Sequence, residues 1–367
     1  MKEIAIEFLN IIEDNGYKAY IVGGYVRDYL LKKESKDIDI TTNATPKQIK
    51  KIFSNIIVKK STLQNNDYGS VTINYKNILF EVTTFRKDLN YIDNRHPASI
   101  KYVDDLETDL RRRDFTINAI CMDKNGQIID LLNGVPDLKN KSIKTILDSK
   151  KSFKDDALRI LRAIRFSCTL NFKLNDEIIE AIEINKKYLK NISYERKKIE
   201  LDKIFASSHA REGIQLIQKL NLEKSLDLKN LNLIKDYTDI IGIWSIINSS
   251  EYKFTKHEKE LIKKVNIVLE LNNLDKLVLY KYGLYVNLLA GSNKGISKKK
   301  ITKIYNRLPI KSRSDINITS LEICAVLKRE PNSFLNEIYT NLEREIINNS
   351  LKNDKMKIIN YLKTYFN

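Results

Sequence analysis

Two groups of residues near the start of the chain have types and spacing suited to phosphate and metal chemistry. Gly23 and Gly24 end a short apolar run, and Arg27 follows them closely. Paired glycines let the backbone approach a phosphate, and the helix start after them presents unpaired N–H groups. Asp37 and Asp39 come next, and two hard carboxylates suit Mg²⁺, which also takes oxygen ligands from substrate phosphates. These residues predict a site for a nucleoside triphosphate and Mg²⁺.

The elements around these residues are predicted to turn them toward one another. We expect a short strand at 19–22, a short helix carrying Arg27, and a second strand carrying both acids. Side chains at positions i and i+2 of a strand share one face, so Asp37 and Asp39 converge while the isoleucines beside them enter the core. Glycosyltransferases use a similar acidic pair with sugar nucleotides, so this pair alone leaves the reaction open.

A further acid, Glu81, lies in a region rich in β-forming residues. Two such runs are present, at 70–75 and 78–84, and Glu81 lies in the second. We interpret Glu81 as a candidate third catalytic carboxylate beside Asp37 and Asp39. A solvent-facing glutamate at a strand edge is the alternative interpretation.

The distribution of proline separates two kinds of structure along the chain. Proline is absent from 137–308, where the apolar spacing is typical of helices. Before that interval, β-rich runs, including one at 127–131, alternate with helices at 2–15 and 46–53, the second of which Thr45 would cap. The sequence therefore predicts an α+β fold, with a small mixed β-sheet and helices first and an all-helical remainder.

The charge of the chain indicates a polyanionic partner. The 367 residues carry a net charge of +17, and the pI is about 9.4. Residues 271–367 alone hold 17 basic and 8 acidic residues, a net charge of +9. A chain this basic favours nucleic acid over an anionic membrane as its partner. A lysine-rich composition from an AT-rich genome is the alternative explanation.

Other features of composition exclude several classes of protein. Only three cysteines occur, each in an apolar setting and without CxxC spacing, which argues against disulfides or a zinc site and favours a reducing, cytoplasmic location. The N-terminal residues form an amphipathic pattern with early acids, unlike a signal peptide. No uncharged apolar run approaches the length of a membrane-spanning helix.

A later segment carries an acidic residue followed by arginines at intervals of three. Asp156, Arg159, Arg162 and Arg165 are predicted to form a stripe along one side of one helix. Aspartate accepts hydrogen bonds and arginine donates them, so the first two would pair with cytosine or adenine and reject uracil and guanine. A surface ion pair between neighbouring helical turns is the alternative.

Four segments together carry a resemblance to a known family. They read IVGGYVRDYLLKKESKDIDITT at 21–42, FEVTTFR at 80–86, LRRRDFTINA at 110–119 and DDALRILRAIRF at 155–166. In this order they closely resemble the class II tRNA nucleotidyltransferases of the DNA polymerase β-type superfamily. That family comprises the CCA-adding enzymes and the bacterial poly(A) polymerases, and the resemblance covers about residues 18 to 206.

The resemblance implies an activity. It implies a template-independent transferase that adds C, C and A to tRNA 3′ ends from CTP and ATP and releases pyrophosphate. Two Mg²⁺ ions about 3.5–4 Å apart, held by Asp37 and Asp39, would promote the attack of the 3′-OH. An enzyme that adds only A, a poly(A) polymerase, and a non-catalytic RNA-binding protein remain as alternatives.

The resemblance also implies roles for individual residues. Gly23, Gly24 and Arg27 would secure the triphosphate, while Asp156 and Arg159 would read the incoming base. The next set would bind the ribose and the phosphates: Arg112, Arg113 and Asp114. Asn118 would brace that set or reach the ribose. Residues 194–204 resemble a helix that supports the base-reading helix without direct chemistry.

Residues 85–106 are charged, lack clear periodicity and predict a long loop. They resemble the flexible loop that family members need for adenosine addition, and Asp93 and Arg95 occupy matching places. Asn94 and His96 replace the commoner Gly and Arg there. Asp155, beside the base-reading pair, stands where the family usually has Glu.

The resemblance implies four parts in an elongated chain. We expect a catalytic head at 1–136, a helical neck with the base-reading helix at 137–206, a helical body at 207–290 and a basic helical tail at 291–367. The tail would bind the outer part of the tRNA. A run of glycine and lysine residues at 291–300 is the predicted linker before it.

Overall fold

The computed structural model describes residues 1–35, 37–54, 69–91, 94 and 97–366. The chain divides into two compact units, Met1–Asp227 and Leu228–Asn367. The first unit contains a mixed sheet with helices, and the second is helical in its described part. The predicted α+β fold is confirmed.

A mixed sheet forms the centre of the first unit. Its strands are β1 (Ala19–Val22), β2 (Ile38–Thr42), β3 (Ser70–Tyr75), β4 (Ile78–Thr84), β7 (Cys121–Met122) and β8 (Ile128–Ile129). They lie in the order β3-β4-β2-β1-β7-β8, and β2 and β4 are the parallel pair, with antiparallel neighbours elsewhere. The sequence-predicted strands at 70–75 and 78–84 are confirmed, whereas the run at 127–131 contributes a shorter strand than expected.

The described part of the first unit also contains α-helices before, between and after the strands. They are α1 (Lys2–Asp14), α2 (Gly24–Leu30), α3 (Pro46–Phe53), α4 (Leu106–Arg111), α5 (Gly134–Lys139), α6 (Ser149–Asp155), α7 (Leu158–Leu170), α8 (Asp176–Asn185), α9 (Tyr194–Phe205), α10 (Ala210–Lys219) and α11 (Glu223–Leu226). Helix α3 begins as predicted, with Thr45 in a capping box and Pro46 in its first turn.

Packing on one face of the sheet fixes strand β2 in place. Ile38 and Ile40 are buried, and Phe8 of α1 stacks between Phe53 and Phe80 with ring centroids 4.5 and 4.1 Å away. The alternation of β2 turns Asp39 to the opposite face. Asp37 lies immediately before the strand and not within it.

The prediction that 85–106 is a loop was wrong for most of its length. The segment contains strands β5 (Arg86–Tyr91) and β6 (Pro97–Tyr102), which pair as an antiparallel hairpin. Most of the side chains of β6 are exposed, so the segment lacks the apolar face that makes a strand recognisable.

The region after the sheet, which was predicted to be entirely helical, differs from that prediction in two places. A short parallel pair, β9 (Ser142–Ile143) with β10 (Lys173–Leu174), lies between the helices. Helices α6 and α7 are separate, and the extended backbone of Asp156 lies in the break between them. Helix α7 packs against α9 and also contacts α6.

The second unit has its own apolar core. Its helices are α12 (Ile240–Ile247), α13 (Lys256–Glu270), α14 (Lys276–Asn293), α15 (Lys298–Asn306), α16 (Ser320–Leu327), α17 (Phe334–Ile347) and α18 (Lys355–Tyr365). Ile301, Leu342 and Ile358 are among its fully buried side chains. Gly291, at the start of the predicted linker, lies inside α14. None of the helices in the described part of the chain has the length and apolar character that a membrane crossing requires.

Candidate active site

Most of the predicted site residues meet around one cavity of about 460 Å³ in the first unit. Helix α2, the start of β2, the segment after α4 and helix α7 provide its walls. The predicted residues that line it are Gly23, Gly24, Arg27, Asp37, Asp39, Arg112, Arg113, Asp114, Asn118, Asp156, Arg159, Arg162 and Arg165. The cavity therefore brings together segments that are more than a hundred residues apart in the chain.

Glycine is required at position 23, where the chain turns from β1 into α2 beside Asp39 of β2. Its φ of 79° lies in the region that favours glycine. A Cβ atom at this position would lie 3.0 Å from Oδ2 of Asp39. The absence of a side chain at Gly23 leaves room around the Asp39 carboxylate.

Asp37 and Asp39 have the features of metal-binding carboxylates. Within the described part of the chain, neither forms a hydrogen bond or ion pair that would occupy its oxygens. Histidine, cysteine and acidic side chains of the described residues also form no group of three or more suited to a metal. Two carboxylates completed by substrate phosphates fit the usual coordination of Mg²⁺, so the residues present are compatible with that ion.

Glu81 lies beside this pair without lining the cavity. It is the register partner of Asp39 on the parallel neighbour β4, and its side chain is exposed. Burial raises the pKa of Asp39 to about 6, and the charge of Glu81 acts in the same direction, opposed by Arg113. The role of Glu81 as a third catalytic acid stays a prediction.

Arg27 is held in place by carboxylate and amide groups. Its Nε and one terminal nitrogen donate to the two oxygens of Asp28 at 2.8 and 2.9 Å. Its other terminal nitrogen donates to Oδ1 of Asn118 at 2.8 Å. Asn118 in turn donates to Asp114 at 3.1 Å and so connects Arg27 to Asp114, while its role as a brace or as a ribose contact stays a prediction.

Two arginines of α7 are held by acids from different elements. Arg162 donates through Nε to Asp114 at 2.7 Å, and Arg165 lies 2.9 Å from the Glu200 carboxylate of α9. Burial opposes ionisation of Asp114, but Arg162 and the hydrogen bond from Asn118 lower its pKa to about 2. The contact with Glu200 agrees with the expectation that residues 194–204 support the base-reading helix.

Phe166 provides a second kind of support for the arginines, which sequence reasoning missed. The guanidinium carbons of Arg27, Arg162 and Arg165 lie 5.1, 5.5 and 4.2 Å from the centroid of its ring. A π face attracts cations without taking their N–H donors. The ring therefore gathers three arginines while leaving donors for a bound anion.

The prediction that Asp156 lies on the same helix as the arginines was wrong. Helix α7 begins at Leu158, and Asp156 precedes it in extended conformation. The reason is local, because Oδ1 of Asp156 accepts the backbone N–H of Leu158 at 3.0 Å and so stabilises the helix start. Asp156 remains adjacent to Arg159, with its Oδ2 3.9 Å from the arginine Nε.

Arg159 is buried and firmly oriented. Its terminal nitrogens donate to Oγ of Ser152 at 2.8 Å and to the carbonyl oxygen of Arg112 at 2.7 Å. A guanidinium has further N–H donors, so these contacts leave part of its capacity for a ligand. The Asp156–Arg159 pair thus presents an acceptor and a donor at one end of the cavity.

One buried acid that contacts the site was not predicted. Asp109 of α4 has no exposed surface and accepts hydrogen bonds from both Arg112 and Arg113. Its sequence signal is the helical spacing of three and four residues to those arginines. That signal also occurs on ordinary helix surfaces, so the sequence alone did not distinguish it.

The hairpin β5–β6 reaches the Asp156–Arg159 end of the cavity. Asn94 donates to the carbonyl oxygen of Lys154 at 2.6 Å and accepts the N–H of Ala157 at 2.9 Å. These contacts flank Asp156. The predicted loop residues Asp93 and Arg95 lie outside the described residues.

Three family profiles match separate parts of the chain. One described as the poly A polymerase head domain matches residues 19–144. One described as a probable RNA and SrmB-binding site of polymerase A matches 171–227, and one described as a putative tRNA nucleotidyltransferase domain 2 matches 249–362. Together they span both units.

Similar proteins extend over nearly the whole chain. A CCA-adding enzyme of Staphylococcus haemolyticus is 33% identical, with 97% of this chain and 96% of that protein covered. A CCA-adding enzyme of Bacillus subtilis is 32% identical, with 98% and 97% covered. The crystal structure of the Bacillus stearothermophilus CCA-adding enzyme in complex with CTP has a TM-score of 0.82 at 25% identity, with 99% and 96% covered. The Thermotoga maritima CCA-adding enzyme complexed with tRNA has the same fold, with a TM-score of 0.71 at 20% identity and 99% and 94% covered.

Replacing Phe166 tests whether its ring gathers the arginines. We expect Phe166→Leu to weaken CTP binding about tenfold, because it removes the cation–π attraction that holds the three guanidinium groups together against their repulsion. Isothermal titration calorimetry with CTP measures this. Phe166→Tyr is the matched control, since it keeps the ring and should bind CTP nearly as the wild type does. Equal affinities of the two variants would contradict the role of the ring.

The raised pKa of Asp39 predicts pH-dependent metal binding. Bound metal requires the ionised carboxylate, so Mg²⁺ binding displaces a proton when the pH is below the pKa of about 6. The affinity should therefore fall as the pH decreases through 6 and be nearly constant above it. Calorimetry in buffers of different ionisation enthalpy counts the protons released at each pH.

Asp39→Asn is the control for this measurement. It should release no proton from this site at any pH. Proton release by the wild type that does not change with pH would contradict a metal site at Asp39.

Proposed function

This chain belongs to the family of the CCA-adding tRNA nucleotidyltransferases, and we propose that it adds C, C and A to tRNA 3′ ends from CTP and ATP with release of pyrophosphate. One observation carries this proposal. The same cavity contains two carboxylates that have no hydrogen-bond or ion-pair partner among the described residues, Asp37 and Asp39, and an acceptor–donor pair, Asp156 and Arg159. An enzyme that selects a base without a nucleic-acid template needs both groups in one site.

Gly23, Gly24 and Arg27 form the proposed triphosphate end, together with arginines of α7. The glycine backbone lets the phosphates approach, and Arg27, Arg162 and Arg165 supply positive charge. Because Asp28, Asp114 and Glu200 already orient these arginines, little side-chain entropy remains to be lost on binding. Arg112 and Arg113 are proposed to contact the ribose and the phosphates from the opposite wall.

Asp156 and Arg159 form the proposed base-reading end. Cytosine and adenine each place an amino donor beside a ring-nitrogen acceptor, which matches a carboxylate beside a guanidinium. Uracil and guanine place a carbonyl beside an N–H. Their carbonyl would then face the carboxylate, as acceptor against acceptor, and their N–H would face the guanidinium, as donor against donor. Rejection then follows from unpaired polar groups in a desolvated site. The contacts of Arg159 with Ser152 and Arg112 support this role, since they fix its orientation.

Asp37 and Asp39 are the residues proposed to hold Mg²⁺. When bound, the metal would neutralise phosphate charge and favour ionisation of the attacking 3′-OH. The chain itself positions the reactants. Gly23 leaves space beside Asp39, and the side chain of Arg113 also lies near this space. The arrangement aligns the RNA end and the triphosphate without a covalent enzyme intermediate.

The remaining parts of the chain are proposed to bind tRNA. The division into a head at 1–136, a neck at 137–206, a body at 207–290 and a tail at 291–367 is kept as a proposal. The tail is basic, and its contact with tRNA phosphates should weaken steeply with salt. The substrate class and three buried, unpaired cysteines support a cytoplasmic location.

A nucleotide-addition assay tests the proposed function. The purified protein is incubated with Mg²⁺ and a tRNA lacking its 3′ CCA, with CTP and ATP singly and together. We expect addition of CC with CTP and of CCA with both, resolved at single-nucleotide resolution. Addition of A only after a preformed CC would identify an A-adding enzyme, and a long A tail would identify a poly(A) polymerase.

Asp39→Ala separates catalysis from RNA binding in the same assay. We expect incorporation to be lost, because a metal ligand is removed, while tRNA affinity is retained. Asp123→Asn in a turn of the same unit, away from the cavity, is the control and should remain active. Loss of tRNA binding by Asp39→Ala would contradict the proposed metal role.

Asp156→Ala tests base reading. Without the carboxylate, discrimination against UTP and GTP should fall by about tenfold or more, since a lost pair of base contacts costs about 1–3 kcal/mol. Ratios of kcat/KM for CTP over UTP measure the effect.

The matched control is Asp148→Ala. Asp148 accepts the backbone N–H of Lys151 at the start of α6, as Asp156 accepts that of Leu158 at the start of α7, but Asp148 does not line the cavity. Loss of such a hydrogen bond at a helix start alone should lower stability by about 1 kcal/mol in both variants. If both variants kept wild-type selectivity, the base would be read elsewhere.

A further inference from the structure

Asp109 makes four hydrogen bonds to separate parts of the site. One oxygen accepts Nε of Arg112 at 2.9 Å and the backbone N–H of Arg86 at 3.2 Å. The other accepts the hydroxyl of Thr41 at 2.9 Å and a terminal nitrogen of Arg113 at 3.3 Å. Asp109 is therefore the common partner of strand β2, the hairpin and both arginines that follow α4.

The contacts of Asp109 extend to both ends of the cavity. Thr41 follows Asp39 by two residues on β2, so its side chain lies on the same face as the metal-binding acid. At the other end, the carbonyl oxygen of Arg112 accepts a hydrogen bond from Arg159, the proposed base-reading residue. A short chain of contacts thus connects the acidic strand to the base-reading arginine through Asp109.

The charge of Asp109 is retained despite its burial. Burial opposes ionisation, but Arg112 and Arg113 hold the pKa of Asp109 below its usual value. Replacement of a whole buried ion pair by apolar groups is often neutral for stability, whereas removal of one partner leaves the others buried and unpaired. Net stability therefore gives little reason for the whole group of Asp109, Arg112 and Arg113 to be charged here.

We propose that Asp109 is a positioning residue that sets the distance between the metal-binding strand and the base-reading arginine. It does not contact the reacting atoms. It holds Arg112 and β2 in a fixed relative position. The base therefore contacts Arg159 when the α-phosphate lies beside Asp37 and Asp39. A loosened connection lowers both the rate of transfer and the accuracy of base selection, because small displacements of reacting groups have large effects.

The variant Asp109→Asn tests this inference. It keeps the shape but replaces one acceptor oxygen with a donor, so one of the two contact sets loses its partner. We expect kcat with CTP to fall by about tenfold to a hundredfold. We also expect the CTP-to-UTP ratio of kcat/KM to fall several-fold, while the KM for tRNA stays near that of the wild type.

Asp137→Asn is the matched control. Asp137 is a buried aspartate of the same unit that accepts the hydroxyl of Thr116 and pairs with Lys144, both at 2.7 Å, away from the cavity. It should lower the midpoint of thermal unfolding to a similar degree while keeping the CTP-to-UTP ratio. If Asp109→Asn kept that ratio as well, the positioning role would be overturned.

A second variant decides the question if Asp109→Asn does not fold. Thr41→Val removes only the contact with β2, in an apolar residue of the same shape. A lower kcat together with a lower CTP-to-UTP ratio supports the inference, and an unchanged kcat or an unchanged ratio overturns it. The inference rests on the proposed function, but the two fail differently. A wild-type protein that adds no nucleotide would refute the function, whereas an active wild type with unaffected variants would refute only the role of Asp109.

Discussion

Electrostatic repulsion among six arginines is the constraint on which the construction of the site depends. All six line one cavity, and burial lowers the pKa of Arg112 and Arg165 to about 10. Every one of them lies within 4.0 Å of a carboxylate, in the pairs Arg27–Asp28, Arg112–Asp109, Arg113–Asp109, Arg159–Asp156, Arg162–Asp114 and Arg165–Glu200. The cavity is therefore a set of compensated charges and not a simple positive patch.

The compensating acids come from several elements, and this explains why the fold is needed. Asp28 belongs to α2, Asp109 to α4 and Glu200 to α9. Buried ion pairs contribute little net stability, because desolvation offsets their attraction. Their contribution here is geometric, since each acid fixes the direction in which an arginine presents its remaining donors. An incoming triphosphate meets groups that are already oriented, so little binding free energy is lost to their rearrangement.

Local patterns allowed much of this architecture to be predicted. Strands 70–75 and 78–84 show clear β patterns. The glycine turn and the pair Asp37 and Asp39 could be predicted because they depend only on residues close together in sequence. The hairpin was missed because its exposed faces carry no apolar stripe. The prediction for Asp156 was wrong because its side chain accepts the backbone N–H of Leu158, the first residue of α7. Asp156 therefore lies before the helix and not within it. Asp109 and Phe166 combine contacts with near neighbours and contacts that are distant in sequence, with Thr41 and Arg27, and residue spacing does not reveal the distant ones.

The hydrogen bond from Leu158 to Asp156 also limits which sequences are compatible with this fold. One carboxylate oxygen starts a helix, while the other faces the guanidinium of Arg159. Glutamate would extend the acceptor away from the backbone, serine would cap the helix without a charge, and asparagine would replace an acceptor with a donor. Of these four side chains only aspartate meets both demands, so the geometry of the backbone restricts the choice of residue here as well as the nucleotide does.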